Sequence, residues 1–223
     1  MDVINLKKSS ISEKDRCFII GEAGINHDGS LKKAFELVDV AVEAKVDAVK
    51  FQCYDTQSFL SSEIDKARIK RLNKFSLDFN QFKELSLYAK KKNLVFFSTP
   101  LNISYIKKLN TIQPIFKIAS GDNDFLDLIF EALSYSKPTI ISCGLLNLNE
   151  IKILYNQIKK KITNNNIAFM HCVSSYPAKA EQLNIDAILE MKKILPKCVI
   201  GYSDHSIGNE ACIYAASIGA KIV

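Results

Sequence analysis

The sequence lacks any apolar run approaching the roughly 20 residues that a membrane-spanning helix needs. Its first residues, MDVINLKKSSISEKDR, lack the apolar stretch and small-residue cleavage site of a secretory signal. No membrane partner is expected, and the chain is expected to be cytoplasmic. The six cysteines, Cys17, Cys53, Cys143, Cys172, Cys198 and Cys212, include no CxxC pair. Most fall in apolar segments, where a thiol acts as a small hydrophobe, so reduced core thiols are expected. The phosphate-cradling GxxxxGK[ST] and the dinucleotide-binding GxGxxG are both absent. An aromatic-laced basic stripe is missing too. The net charge is +6, but Lys7 and Lys8, Lys90 to Lys92 and Lys159 to Lys161 fall at the N-terminus or at expected helix ends. There they read as solvated charge that suits a helix C-terminus, and no nucleic-acid partner is expected.

What is present is a repeating alternation. A chain of 223 residues, 48% hydrophobic and 24% charged, is long enough to bury a sizeable core in a single domain. Short β-rich runs recur as CFIIGEAG (17–24), DAVKFQCY (47–54), LVFFSTP (94–100), IFKIASG (115–121), PTIISCG (138–144), IAFMHCV (167–173), VIGYSDH (199–205) and KIV (221–223). Between them, segments such as LKKAFELVDVAVEA, FNQFKELSLYAKKK and NIDAILEMKKIL repeat their apolar residues at helical spacing. Near-continuous apolar strands alternating with amphipathic helices predict a parallel sheet covered by helices, either open and doubly wound or closed. Eight such runs favour a TIM (β/α)8 barrel, truncated in strand 8 where the chain ends at Lys221, Ile222 and Val223. The expected organisation is an N-terminal extension over 1–16, forming a basal flap or fraying, and a barrel over 17–223 that lacks its last helix. The stretch from Asp55 to Asp78 is too long for an ordinary βα loop and predicts a helical excursion, either a lid or a plain surface insertion. The asparagine run Asn164 to Asn166 reads as turn chemistry.

Catalytic groups of parallel barrels project from the C-terminal strand ends. There the sequence offers Glu22, then Lys50 and Gln52, which share one strand face while Val49 and Phe51 take the other. The same period turns Lys117 inward, with Ser120 just beyond it. Lysines are almost never fully buried without an anionic partner, so two of them point to a polyanionic ligand. The plainer alternative is a structural pairing with Glu22 or Asp122. Hydroxyls recur at the same level: Ser98 and Thr99, Ser120, Ser142, and Ser203. Phosphate oxygens want such donors, although any one serine there is ordinary turn chemistry. Ser203 and His205 share a face beside Asp204, and HCVSSYP adds His171, Ser174 and Tyr176, with core packing equally open to His171. A glycine-rich turn carrying Asn26, His27 and Asp28 follows Glu22.

The ordered set GEAGINHDG, VKFQ, FFSTP, FKIASGD, ISCG, HCVSSYP and IGYSDHSIGNEA resembles the N-acetylneuraminate (sialic acid) synthase family, which includes legionaminic and pseudaminic acid synthases and spore-coat polysaccharide proteins. The resemblance implies a TIM barrel followed by a small antifreeze-like domain. It also implies condensation of phosphoenolpyruvate with an N-acylated amino sugar, N-acetylmannosamine or a relative, using a divalent metal, Mn²⁺ or Mg²⁺. By the same resemblance Lys50, Thr99, Lys117, Ser120, Ser142 and Ser203 hold phosphoenolpyruvate. Glu22 is a catalytic carboxylate, His205 is catalytic as a metal ligand, and Gln52, Asp122 and Tyr176 meet the sugar. The chain departs from the family pattern where Ser120, Gly121 and Asp122 replace SGE and where Ser174 stands for a frequent Asn. The family's second metal histidine, in an EKHF-like motif, falls just beyond Val223, and the antifreeze-like domain that reaches across a homodimer is not in the sequence. A truncated form of a homodimeric enzyme is therefore expected. Two alternatives stay open: a keto-acid aldolase in which Lys50 or Lys117 forms a Schiff base, and a non-catalytic ligand-binding barrel.

Overall fold

The computed structural model describes residues 3–6, 9–12, 14–56, 66–162 and 166–223. The chain opens with an antiparallel hairpin, β1 (Val3–Leu6) and β2 (Ser9–Ser12), in which Ile4 lies opposite Ile11. Both isoleucines are 1% exposed, so apolar burial holds the two described strands. Lys7 and Lys8 lie outside the described residues.

The chain divides into two compact units, one of Ile20–Phe116 and the other of Met1–Ile19 with Lys117–Val223. In the first unit, β3 (Ile20–Gly24), β4 (Ala48–Cys53) and β5 (Val95–Pro100) form a parallel sheet in that order. Strand β4 runs alanine, valine, lysine, phenylalanine, glutamine, cysteine, and only Lys50 and Gln52 are not fully buried. That is the expected alternation imposed on a strand covered on both faces. The sheet carries α1 (Leu31–Glu43), α2 (Lys66–Phe75), α3 (Phe79–Lys91) and α4 (Ile103–Leu109). Helix α1 starts where Ser30 accepts a hydrogen bond from Lys33 N, and buries Ala34, Val38 and Ala41 at three- and four-residue spacing. Helix α3 starts at a reciprocal capping box between Asp78 and Gln81 and buries Phe82, Leu85 and Ala89. The excursion from Asp55 to Asp78 therefore contains a helix, α2. Its Leu72 carbonyl accepts the Tyr54 hydroxyl at 3.1 Å, and residues 57–65 lie outside the described set.

In the second unit, β6 (Phe116–Ile118), β7 (Thr139–Ser142), β8 (Ile167–Cys172) and β9 (Val199–Ser203) form a sheet in sequential order, parallel wherever the register is defined. It carries α5 (Leu126–Ser134), α6 (Leu148–Ile158), α7 (Ala187–Ile194) and α8 (Glu210–Ser217). Helix α6 begins at a second capping box, Asn147 with Glu150, and buries Ile151, Leu154 and Ile158. Of the Asn164–Asn166 run, only Asn166 is described. The last residues behave as a strand. Lys221 N donates to Ile200 O and Tyr202 N to Ile222 O, both at 2.8 Å. On the other side, Phe18 N donates to Lys221 O at 2.9 Å and Val223 N to Phe18 O at 3.0 Å, with a parallel bridge between Phe18 and Ile222. Ile222 is fully buried.

Candidate active site

In the unit Ile20–Phe116, parallel register sets Glu22 beside Lys50 and Gln52 beside Thr99. Lys50 and Glu22 form an ion pair, with the lysine side chain 13% exposed and the carboxylate 46% exposed. The pairing of Lys50 with Glu22 that the sequence offered is formed. Gly24 sits at φ +52°, and a Cβ there would lie 3.1 Å from Glu22 Oε1. The missing side chain thus gives the catalytic-carboxylate candidate its space. Thr99 is 3% exposed. Its neighbour Ser98 is buried, and the Ser98 hydroxyl has no hydrogen-bond partner among the described residues. Sequence reasoning passed over Gln113, whose buried amide accepts from Ser98 N at 2.9 Å and donates to Ser98 O and Ile115 O. The turn after β3 buries His27, whose Nδ1 accepts from Gly29 N at 3.1 Å, and burial holds this imidazole below its ordinary pKa. Asp28 points the other way, to an exposed pair with Lys33.

In the second unit, Lys117 is 5% exposed and its Nζ donates to Ile118 O at 3.0 Å and to Ser142 Oγ at 2.5 Å. No carboxylate pairs with it among the described residues, so the structural pairing with Asp122 is not formed. Burial pushes its pKa down to about 8, against smaller opposing contributions from Cys172, Cys143 and Asp122. Ser142 is 2% exposed. Ser120, in a single 3₁₀ turn after β6, accepts from Gly144 N at 3.1 Å. Asp122 ends that turn half-buried, and burial, reinforced by Asp124, lifts its carboxyl to about 6. Ser203 ends β9 opposite Cys172.

His205 follows on the same loop. Its Nδ1 lies 2.7 Å from Val173 O and 3.8 Å from Cys172 Sγ, and its ring packs against Tyr176 at 4.0 Å between centroids. Tyr176 is 77% exposed. The Cys172 thiol is pushed up by burial, but hydrogen bonds from His205 and Ser120 outweigh this, and its pKa falls below the ordinary value. Asp204 accepts from Tyr202 Oη and Ser206 N through Oδ1, and from Cys212 Sγ through Oδ2, which ties down the loop that carries His205. His171 instead has Nε2 2.7 Å from Leu183 O and stacks on Tyr202, which is the packing role.

The sequence brought Lys117, Ser120 and Ser142 to notice but missed Asn123 and the proximity of Cys172 to His205. No disulfide is formed among the described residues, and Cys53, Cys143, Cys172 and Cys198 are buried, as expected of core thiols. As to a divalent cation, the Nδ1 contact of His205 leaves Nε2 as a donor, yet no group of three His, Cys, Asp or Glu side chains able to hold a metal exists among the described residues. The described donor set does not by itself make a metal site. No described helix is long and apolar enough to cross a membrane.

The NeuB family model matches residues 37–223. An uncharacterised protein of Methanocaldococcus jannaschii is 35% identical over all of this chain, which spans 65% of that protein. The N,N'-diacetyllegionaminic acid synthase of Campylobacter jejuni is 33% identical over 93% of this chain and 66% of its own length. Among solved structures, the N-acetylneuraminic acid synthetase of Leptospira borgpetersenii superposes with a TM-score of 0.90 at 33% identity, over 99% of this chain and 76% of that one. The chain thus spans about two-thirds of the length of the curated relatives it matches. A match over this span, with relatives that are sialic-acid-type synthases, means that the chain belongs to the NeuB family.

Proposed function

We propose that this chain carries the phosphoenolpyruvate-binding part of a synthase that joins phosphoenolpyruvate to an N-acylated amino sugar, giving a nonulosonic acid and phosphate. The observation that carries this reading is Lys117, a buried cation bonded to Ser142 and paired with no carboxylate among the described residues. A buried charge of this kind calls for an anionic ligand. Within the unit of Lys117, Ser120, Ser142 and Ser203 are the other proposed anion contacts; Lys50 and Thr99 are proposed as anion contacts of the unit Ile20–Phe116, with Lys50 exchanging Glu22 for the ligand. The (β/α)8 barrel belongs to the same reading, supported by parallel pairing in both units and by the bridge between Phe18 and Ile222.

In the proposed reaction the enol carbon of phosphoenolpyruvate attacks the aldehyde carbon of the open-chain sugar, and the aldehyde oxygen becomes an alkoxide that takes a proton. Positive charge develops at the carbon bearing phosphate. There Glu22, freed from Lys50, stabilises it and orients the water that adds, after which the C–O bond to phosphate breaks. Lys117 neutralises the phosphate throughout, Lys50 is proposed for the same role from its own unit, and Gln52, Asp122 and Tyr176 are each proposed as sugar contacts. A divalent cation, Mn²⁺ or Mg²⁺ with His205 among its ligands, belongs to the proposal as the group that would polarise the aldehyde. The described donors do not complete its site. A homodimer belongs to the same proposal.

Phosphate release from phosphoenolpyruvate with a panel of N-acylated amino sugars tests the reading. Release that depends on the sugar, with ¹⁸O from water retained in the sugar acid, is the expected result, and ¹⁸O in the phosphate contradicts it. One observation favours a second reading: with its pKa near 8, Lys117 has a neutral amine available for Schiff-base chemistry. Borohydride trapping of pyruvate on Lys117 is the outcome that selects it.

A further inference from the structure

The loop after β6 and the loop after β7 carry Ser120 and Ser142, and the segment that joins them in space is not among the proposed ligand contacts. Asn123 is 5% exposed, and its side-chain amide donates to Ser142 O at 3.2 Å and to Gly144 O at 2.9 Å. Both amide protons are used, and both acceptors are backbone carbonyls that flank Cys143. Gly144 N in turn donates to Ser120 Oγ at 3.1 Å. The result is a closed circuit from the 3₁₀ turn, through the Asn123 amide, along the β7 loop and back to the turn through Ser120. Its fit is tight. A Cβ on Gly144 would lie 2.4 Å from Ser174 Oγ and 2.7 Å from Ser120 Oγ. The Ser142 backbone held by Asn123 is also the one whose hydroxyl meets Lys117 Nζ.

We infer that Asn123 is a positioning residue for the anion site: its amide clamps Ser142 and Gly144 so that the hydroxyls of Ser142 and Ser120 stand at fixed places beside Lys117. The inference rests on the phosphoenolpyruvate reading of that site. Asparagine suits the task because one short side chain supplies two donors to two backbone carbonyls from a buried position. Aspartate has the same size but turns an oxygen toward those carbonyls.

The test is calorimetric titration of the full 223-residue chain with phosphoenolpyruvate, alongside amide hydrogen exchange at Gly144. Asn123→Leu is expected to remain folded by circular dichroism, to bind phosphoenolpyruvate about tenfold more weakly, and to exchange the Gly144 amide faster while amides of α7 keep their protection. Asn123→Asp carries the same expectation and takes over the test if the leucine variant does not fold. Binding by both folded variants within twofold of the unsubstituted chain, while Ser142→Ala weakens it about tenfold, overturns the inference and leaves the site reading intact. Absence of binding by the unsubstituted chain overturns both.

Discussion

Lys117 and Gly144 decide what the proposed site can do. The lysine is half-protonated near pH 8, because burial disfavours its charge. An anion bound against it restores the proton, so binding takes up a proton above that pH. Affinity for phosphoenolpyruvate is expected to be flat from pH 6.5 to 7.5 and to fall by about tenfold per pH unit between 8.5 and 9.5, as titration calorimetry in buffers of different ionisation enthalpy would show. Stability moves the other way. The unfolded chain binds the Lys117 proton more tightly than the folded one, so this residue's contribution grows more favourable as pH rises from about 8 toward the ordinary lysine value. Asp122 has the opposite sense. Its folded pKa is raised to about 6, so the stability it contributes is lost as pH rises from the ordinary aspartate value through 6. Gly144→Ala is expected to push the Ser120 hydroxyl aside and weaken phosphoenolpyruvate binding by about tenfold, measured against a melting temperature that falls by only a few degrees. Lys117 was legible in the sequence because strand alternation alone turns it away from Ile118 and Phe116. Asn123 was not legible, since its partners lie 19 and 21 residues away and only the folded loops bring them together.

Elements were legible wherever period and capping agreed. Helix α3 shows both, with an apolar stripe and the Asp78–Gln81 box at its start. Asp78→Ala should therefore cost about 1 kcal/mol in urea unfolding, the usual loss for an N-cap. The hairpin β1–β2 was not legible, because SSIS and the adjacent lysines carry a weak strand signal and the pairing depends on Ile4 meeting Ile11. The final KIV reads in the sequence as an unfinished strand, yet backbone hydrogen bonds to Ile200 and Tyr202 on one side and Phe18 on the other make it a paired one. Ile222→Ala removes a fully buried side chain from that strand and is expected to destabilise the chain by about 2–5 kcal/mol in denaturant titration. A loss under 0.5 kcal/mol in the same titration would mean that these residues do not pack as described.

At the scale of the molecule, the alternation of strand and helix identified the class before any side chain was placed. The ordered motifs identified the family, and the NeuB match over 37–223 bears that out. The acceptor sugar was not legible. Its proposed contacts, Gln52, Asp122 and Tyr176, sit at strand ends and loops, where neither strand nor helix period says what a side chain meets. The claim on which the account rests is that Lys117 and the serines near it bind phosphoenolpyruvate, and titration calorimetry on the unsubstituted chain and on Lys117→Met tests it most directly. The account predicts saturable one-to-one binding that weakens by about a hundredfold or more in the methionine variant, as for removal of a buried charged partner. Equal binding by the two proteins, or none by the unsubstituted chain, would contradict it.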